Sequence, residues 1–351
     1  MTTMEDLSRT VKVAASPATS GPAAPGHAAI ELEHLTHDYG TRVALKDLSF
    51  SVQPGEIFGL LGPNGSGKTT LFRILSTLML PSGGHARIAG FDVATDANRV
   101  RLSTGIVFQA RSLDIKLTVA ENLMHQGHLY GLSGAHLRQR SSEVLARVGL
   151  TDRANELVET LSGGQQRRVE LAKGLIHSPA VLLLDEPSTG LDPGARRDLW
   201  QYLRILRDEQ GVSVLVTTHL MEEAEHCDRL AILNSGKLVA FGTPADLKSS
   251  IGGDIVQLEA VSPWAATQLA AKIDQRFAVK TTVVGHAIRL EREQGHRFLT
   301  DVVEAFPGEI EGVSVAKPSL EDVFIQRTGH RFWTNMNPET TEPASSTQEA
   351  S

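Results

Sequence analysis

A glycine-rich segment near the amino terminus has the residue types and spacing that bind phosphate. Residues 62–69, GPNGSGKT, match the pattern G-x-x-x-x-G-K-[ST]. They follow the apolar run EIFGLL (56–61) and precede LFRILSTLML (71–80), which ends before Pro81 and predicts a helix. Backbone N–H groups of such a loop and the helix amino terminus bind phosphate. An ordinary glycine-rich turn is the alternative, but such turns lack the strand and the helix.

Within this loop, Lys68 is expected to reach the β- and γ-phosphates of a nucleotide, and Thr69 to offer its hydroxyl to Mg²⁺. The predicted nucleotide-binding residues of the segment are Gly62, Asn64, Gly65, Gly67, Lys68, Thr69 and Thr70.

Two adjacent carboxylates end another apolar run, VLLL at residues 181–184. Ligands of parallel sheets bind at the carboxyl ends of strands, where Asp185 could hold Mg²⁺ through water. Glu186 could polarise a water molecule for in-line attack on the γ-phosphate. Two helix-capping acids are the alternative, but a phosphate loop requires a metal partner, which favours the catalytic interpretation.

Single polar residues follow two further apolar runs: Gln109 comes after IVF, and His219 comes after VLVTT. A lone histidine is more often structural. Together with the phosphate loop, the two become candidates for sensing the γ-phosphate, His219 by hydrogen bonding it and Gln109 through metal or water. Tyr39, ahead of the loop, could stack on an adenine ring, although alone it would be a packing residue.

A second candidate anion site lies at residues 161–168, LSGGQQRR, which predict a turn that opens a helix. Its N–H groups, with Ser162 and Gly164, can bind an anion. It has no lysine placed as in a nucleotide loop, and the phosphate loop occurs once in the chain. The segment therefore lacks a cation of its own.

Composition limits the class of protein. The chain has 351 residues, a net charge of -7 and one cysteine, Cys227. The charge argues against a surface devoted to nucleic acid, and the cysteine count excludes an internal disulfide framework. No apolar run reaches about 18 residues, so no membrane span is expected. Residues 1–29 and 335–351 have the composition of a disordered leader and tail.

The order of predicted elements indicates an α/β protein. Apolar strands such as AVLLLD and VSVLVTTH alternate with helices, which fits a buried parallel sheet. A helical block at about residues 110–173 interrupts this core, which we place at residues 30–248. After residue 247 the pattern changes, and residues 253–329 predict a small α+β appendage.

Taken in order, DYG (38–40), GPNGSGKTT, VFQ, LSGGQ, LLLDEP, GLD (190–192) and TTH resemble the ATP-binding subunit of ABC transporters. The resemblance covers about residues 30–248. It implies a P-loop NTPase (RecA-like) core with an antiparallel β-subdomain and a helical subdomain. It also implies ATP and Mg²⁺ as cofactors, and a head-to-tail dimer in which each LSGGQ covers the γ-phosphate held by the other copy.

The resemblance implies a role for each matching residue. Lys68, Gln109, Glu186 and His219 would act in catalysis, with Glu186 as general base, His219 as the switch and Gln109 as the lid-loop glutamine. Nucleotide contacts outside the phosphate loop would come from Tyr39, Ser162, Gly164, Gln165 and Asp192. The metal would be held by Thr69, Gln109 and Asp185.

The segment PSLEDVFIQRTG, at residues 318–329, resembles the ending of drug-resistance exporter ATPases of the daunorubicin/doxorubicin type. Their membrane partner is a separate polypeptide of the ABC-2 class. The resemblance therefore implies a peripheral subunit on the cytoplasmic face of the cell membrane. Related exporters of lipids and polysaccharides can share this ending, and an appendage that merely packs on the core or on a dimer mate fits it equally well.

Two other classes stay open. A soluble ABC ATPase of translation usually has two cassettes, and one of DNA repair has long inserted coiled coils, whereas this chain has one cassette and a modest helical block. An import ATPase with a regulatory carboxyl domain is the third possibility, against which PSLEDVF is the main argument.

The resemblance also places the loop after Gln109 against the membrane subunit. The alternative is a helical block that only packs on the core.

Overall fold

The computed structural model describes residues 28–330 and residue 332. The predicted tail and all but the last two residues of the predicted leader lie outside this range. The strands are β1 Ile30–Asp38, β2 Val43–Val52, β3 Ile57–Leu61, β4 Gly83–Ile88, β5 Phe91–Asp92, β6 Thr104–Val107, β7 Val181–Asp185, β8 Ser213–Thr218, β9 Arg229–Asn234, β10 Lys237–Gly242, β11 Asp254–Glu259, β12 Thr282–Val284, β13 Ala287–Arg292 and β14 Gly312–Ala316. The helices are α1 Lys68–Leu75, α2 Ala97–Ser103, α3 Val119–Leu129, α4 Gly134–Arg147, α5 Gly163–Leu175, α6 Pro193–Gln210, α7 Met221–Ala224, α8 Pro244–Ser249, α9 Pro263–Phe277, α10 Gly295–Ala305 and α11 Leu320–Thr328.

A six-stranded sheet forms the centre of the fold, in the order β10-β9-β3-β8-β7-β6. Its strands are parallel except for β10, which runs antiparallel to β9. Every residue of β3, β7 and β8 is buried, as expected of strands covered on both faces. The carboxyl ends of β3, β8, β7 and β6 therefore lie side by side along one edge of the sheet.

An antiparallel sheet in the order β2-β1-β4-β5 packs beside this centre. Its apolar face shares one core with α1, the helix that follows the phosphate loop. This core includes Leu32, Phe58 and Leu71. Phe50 of β2 stacks on Phe58 of β3 at a ring distance of 5.3 Å. This packing joins the segment that carries Tyr39 to the strand that precedes the phosphate loop.

Helices α3, α4 and α5 form the predicted helical block between β6 and β7. Thr118 begins α3 with a reciprocal capping box to Glu121. The block shares a core with α6 and the central sheet, through residues such as Val144, Leu171 and Trp200. Helix α5 is thus packed against the central sheet and α6.

The carboxyl-terminal part contains a third, antiparallel sheet in the order β12-β13-β11-β14. Helices α9 and α10 cover it, with a core of their own around Leu258, Ile273 and Phe298. Helix α11 packs on α8 and β10, where Phe324 joins a buried cluster with Ile232, and its Asp322 also pairs with Arg289 of β13.

One predicted boundary is wrong. The run at residues 71–80 predicted a helix that continues to Pro81, but α1 ends at Leu75. Thr77 has a left-handed backbone with φ of 59°, and Leu78 N donates to Arg73 O over 2.9 Å, which closes the last turn. Within the residues that the structure covers, no helix has the length and apolar character needed to cross a bilayer.

Candidate functional site

The phosphate loop connects β3 to α1 and approaches the neighbouring backbone closely. Gly67 at the start of α1 has φ of 109°, and a Cβ atom here would lie 2.8 Å from Ala44 O. Lys68 is buried, and its Nζ donates to Gly62 O over 2.6 Å and to Pro63 O over 3.2 Å. The sequence therefore forms a tight loop with its ammonium group turned inward.

Two features of this loop fit a phosphate group. Ser66 Oγ is buried, with no hydrogen-bond partner among the described residues. Burial lowers the pKa of Lys68, while the nearby carboxylates of Glu186 and then Asp185 raise it. A buried cation with a loop of N–H groups at a helix start is suited to an anion. Thr69 lies exposed in the first turn of α1, and Thr70 is buried beside it.

Asp185 ends β7 and accepts a hydrogen bond from Thr217 Oγ1 over 2.6 Å. Burial raises the pKa of Asp185, and the Thr217 hydroxyl opposes this rise. Glu186 N donates to the same hydroxyl oxygen over 3.0 Å. One threonine of the adjacent strand therefore orients both acids that the sequence singled out.

Glu186 adopts a left-handed backbone with φ of 44°, which is uncommon outside glycine. Its carboxylate contacts three side chains. Gln109 Nε2 donates to Oε2 over 3.3 Å, and Thr189 Oγ1 donates to Oε2 over 3.4 Å. His219 Nδ1 lies 3.0 Å from Oε1. Glu186 thus connects Gln109 after β6 to His219 after β8 in one group of contacting side chains. The catalytic roles of these three residues stay predictions.

Tyr39 lies beside the phosphate-loop helix, where 49 % of its surface is exposed. Its hydroxyl is 3.3 Å from Thr70 Oγ1, and its ring meets His37 edge to face at 4.7 Å. Arg42, on the same turn, donates to Gly65 O over 2.9 Å. An exposed aromatic ring held beside the loop can stack on a base.

The second glycine-rich segment begins α5 with a capping box. Ser162 Oγ accepts from Gln165 N over 3.3 Å, and Gln165 Oε1 accepts from Ser162 N over 2.9 Å. Gly163 and Gly164 lie in the first turn, where N–H groups have no acceptor within the helix. Asp192 caps α6 through a single bond, since its side chain accepts from Ala195 N over 2.9 Å. The two polar caps hold the helix starts, and nucleotide contact by these residues stays a prediction.

Arg167 was not anticipated from the sequence. It is buried, and its guanidinium donates to Pro187 O over 2.9 Å and to Phe108 O over 2.8 Å. It also pairs with Glu170 over 2.6 Å, whose other oxygen accepts from Ser112 N over 2.7 Å. Arg167 therefore ties α5 to the segments that carry Gln109 and Glu186. An arginine followed by glutamate three residues later was the available signal.

The residues predicted for Mg²⁺ fit it in chemistry. Thr69, Gln109 and Asp185 all offer oxygen ligands, which this ion prefers. Within residues 28–330, no group of three or more His, Cys, Asp or Glu side chains could hold a metal. An ion here would take its remaining ligands from nucleotide phosphates and water, as Mg²⁺ does in phosphate-loop sites. When bound, it would neutralise charge that develops on the phosphate oxygens.

Comparison with known families matches two parts of the chain. The sequence profile of the ABC transporter family matches residues 45–189. The profile described as ATP-binding protein DrrA1-3-like, C-terminal domain, matches residues 242–328.

Two relatives match most of the chain. The daunorubicin/doxorubicin resistance ATP-binding protein DrrA of Streptomyces peucetius is 37% identical over 308 residues, which cover 86% of this chain and 93% of that protein. The Nod factor export ATP-binding protein I of Paraburkholderia xenovorans (strain LB400) is 38% identical over 315 residues, covering 87% of this chain and 98% of that protein.

Among solved structures, the ATP-binding cassette MJ0796 in a dimeric post-hydrolysis state bound to ADP and Pi has a TM-score of 0.56 and 30% identity. The match covers 61% of this chain and 98% of that structure. The predicted α/β P-loop NTPase fold is confirmed, and the chain binds and hydrolyses ATP. This chain therefore belongs to the ATP-binding proteins of ABC transporters, in the daunorubicin/doxorubicin resistance family.

Proposed function

We propose that this chain powers export through a separate membrane subunit, on the cytoplasmic face of the cell membrane. One observation carries the proposal: the same chain contains a connected ATP site and, at residues 242–328, a DrrA-like carboxyl-terminal region. A relative that aligns with 86% of this chain over 93% of its own length is named for drug resistance. The path across the membrane then belongs to the partner, which we expect to be an ABC-2 type permease.

The proposed cargo is a drug-like amphipathic molecule. The identity to the daunorubicin/doxorubicin resistance protein supports this class. A second candidate is a lipid-like signal molecule, because a relative with similar identity is named for Nod factor export. The chain itself is expected to deliver energy to either class without touching the cargo.

The working unit is proposed to be a dimer of two copies arranged head to tail. The free N–H groups at the start of α5 would then lie over the γ-phosphate on the partner's phosphate loop. This arrangement would supply Lys68 from one copy and backbone donors from the other. The dimeric state of the solved cassette MJ0796 supports a working pair. ATP would shift the equilibrium to the closed dimer because it binds that state more tightly.

Within the site, the chain's own residues have separate proposed tasks. Glu186 accepts a proton from the attacking water, and its contacts with Gln109 and His219 hold the carboxylate in one orientation. Lys68 and the start of α1 stabilise charge on the phosphates. Thr69, Gln109 and Asp185 would hold Mg²⁺.

Contact with the membrane subunit is proposed to involve the segment after Gln109. Ile115 is 48 % exposed, and it lies beside the turn that carries the exposed Leu157, because Glu159 N donates to Ile115 O over 3.2 Å. Ser112 N and Ser112 O are held by Glu170 and Lys173 of α5. Movement of this segment would therefore be transmitted to α5, whose start carries the LSGGQ sequence.

The proposal is tested by reconstituting the chain in vesicles with the candidate permease encoded beside it. Stimulation of ATP hydrolysis by an anthracycline, with uptake of that drug into inverted vesicles, would support drug export. Stimulation by a lipo-oligosaccharide alone would favour the second cargo. If no membrane protein co-purifies with the tagged chain, the soluble class of ABC ATPases is the better interpretation.

A further inference from the structure

A buried glutamate outside the predicted site connects two of its segments. Glu223 is on α7, four residues after His219, and is 1 % exposed. Its Oε2 accepts from Thr218 Oγ1 over 2.5 Å, and its Oε1 accepts a hydrogen bond from Ser188 Oγ. Both carboxylate oxygens are therefore occupied by hydroxyl donors.

The two hydroxyls belong to the segments that hold the central acid and the central histidine. Ser188 follows Glu186 by two residues on the loop after β7, and Thr218 directly precedes His219 at the end of β8. Glu223 thus connects the loop after β7 to the segment after β8.

A third segment reaches the same carboxylate. Arg196 Nε lies 4.0 Å from Glu223 Oε1, one turn into α6. Arg196 N donates to Asp192 O over 3.0 Å, so this arginine also stands next to the cap of α6. The segments carrying Glu186, Asp192 and His219 therefore meet at one buried charge.

The chemistry of the cluster makes it rigid. Hydrogen bonds from hydroxyls to an ionised carboxylate are short and stronger than neutral ones. A buried carboxylate without such donors would be costly, and its removal would leave two buried hydroxyls without their acceptor. Displacement of either segment away from the other would break one of these bonds.

We propose that Glu223 is a positioning residue for ATP hydrolysis. It holds the loop after β7 and the segment after β8 at the separation that keeps His219 in contact with Glu186. The inference rests on the proposed roles of those two residues. Glu223 acts through them and does not touch the nucleotide.

The test compares Glu223→Gln with Glu225→Gln in the full-length protein. Glutamine has the same shape but lacks the charge that both hydroxyls contact. We expect kcat to fall about ten- to a hundredfold, with KM for ATP changed by less than about threefold, because a misplaced base affects the chemical step. Glu225, two residues further along the chain, is exposed and paired with Lys248, and its variant is expected to keep the wild-type kcat.

A double-mutant cycle separates positioning from general destabilisation. In a His219→Ala background, Glu223→Gln is expected to lower kcat no further, since the contact that it maintains is already gone. Full multiplication of the two losses would overturn the proposal, and so would a rise in KM at constant kcat. If Glu223→Gln does not fold, Ser188→Ala removes one of the two bonds and must show the same non-additivity.

Failure of this inference can be told apart from failure of the proposed site. If Glu186→Gln and His219→Ala keep the wild-type rate, the catalytic assignments are wrong. If both lose activity while Glu223→Gln keeps it, the assignments stand and only the role of Glu223 is rejected.

Discussion

His219 Nδ1 lies 3.0 Å from Glu186 Oε1, across the ends of two neighbouring parallel strands. Strands β7 and β8 pair in parallel, so the residues that follow them lie at the same edge of the central sheet. This contact joins Glu186, the candidate general base, to His219, the candidate switch residue.

Replacing Glu186 by Gln should remove the base while keeping its size. We expect ATP turnover to fall by about a hundredfold or more, because general-base catalysis contributes on that scale. Mg-ATP should then hold the chain as a dimer in size-exclusion chromatography, with Glu225→Gln as the control that turns over normally. Elution of Glu186→Gln only as a monomer with Mg-ATP, or undiminished turnover, would contradict the proposed site and stoichiometry.

Asp185→Asn is expected to stabilise the nucleotide-free protein while abolishing hydrolysis. Burial raises the folded-state pKa of Asp185, so the ionised carboxylate disfavours folding above that pKa. Removing the charge should raise Tm by a few degrees near neutral pH, and this gain should shrink as the pH falls through the raised pKa toward the ordinary value of 3.8. Scanning calorimetry across pH checks this, with the exposed Asp198→Asn as control. A Tm below that of the wild type at neutral pH would refute it.

His177 should make the helical block sensitive to acid. Burial lowers the pKa of His177 from 6.5 to about 4. Its Nε2 donates to Thr104 O over 3.2 Å, and its ring stacks on Tyr130 at 3.7 Å. Since the folded pKa is depressed, its contribution to stability is present above about pH 6.5 and is lost as the pH falls toward 4.

Between about pH 7.5 and pH 5, the wild type should lose about 1–2 kcal/mol of unfolding free energy that His177→Gln does not lose. Urea titrations at both pH values measure this difference. His125→Gln removes an exposed histidine of the same block and serves as control. Parallel pH profiles for wild type and His177→Gln would show that another group carries the acid response.

Ile115→Asp should separate hydrolysis from coupling. Ile115 is 48 % exposed, whereas the neighbouring Leu113 is partly buried against the core of the helical block. A charge at Ile115 is therefore expected to leave basal ATPase activity within about twofold but to abolish its stimulation by the membrane subunit. Val303→Asp places the same charge at a similarly exposed site on α10. Equal stimulation in both variants would reject this contact surface.

Much of the site could be predicted because its motifs are local. The spacing of glycines around Lys68, and the polar residue that follows each buried strand, are consequences of strand and loop geometry within a few residues. Parallel strands then bring Gln109, Glu186 and His219 to one edge of the sheet, whatever lies between them in sequence. The predicted group of residues is therefore adjacent in the structure.

The contacts that hold the group together could not be read from the sequence. Arg167 and Glu223 bind segments that are distant along the chain, and their partners include backbone carbonyls and hydroxyls that no motif specifies. The end of α1 at Leu75 likewise depends on a left-handed turn at Thr77.

The amino-acid sequence by itself determined the alternation of buried strands and helices, the phosphate loop and the polar residues at the strand ends. Only the tertiary structure decided which buried charges and hydroxyls pair, and that α11 packs on α8 and β10 while its Asp322 also pairs with Arg289 of the small antiparallel sheet. The physical reason is that hydrophobic periodicity and backbone geometry act over a few residues. Burial instead forces each polar group to find a partner wherever the packed chain provides one.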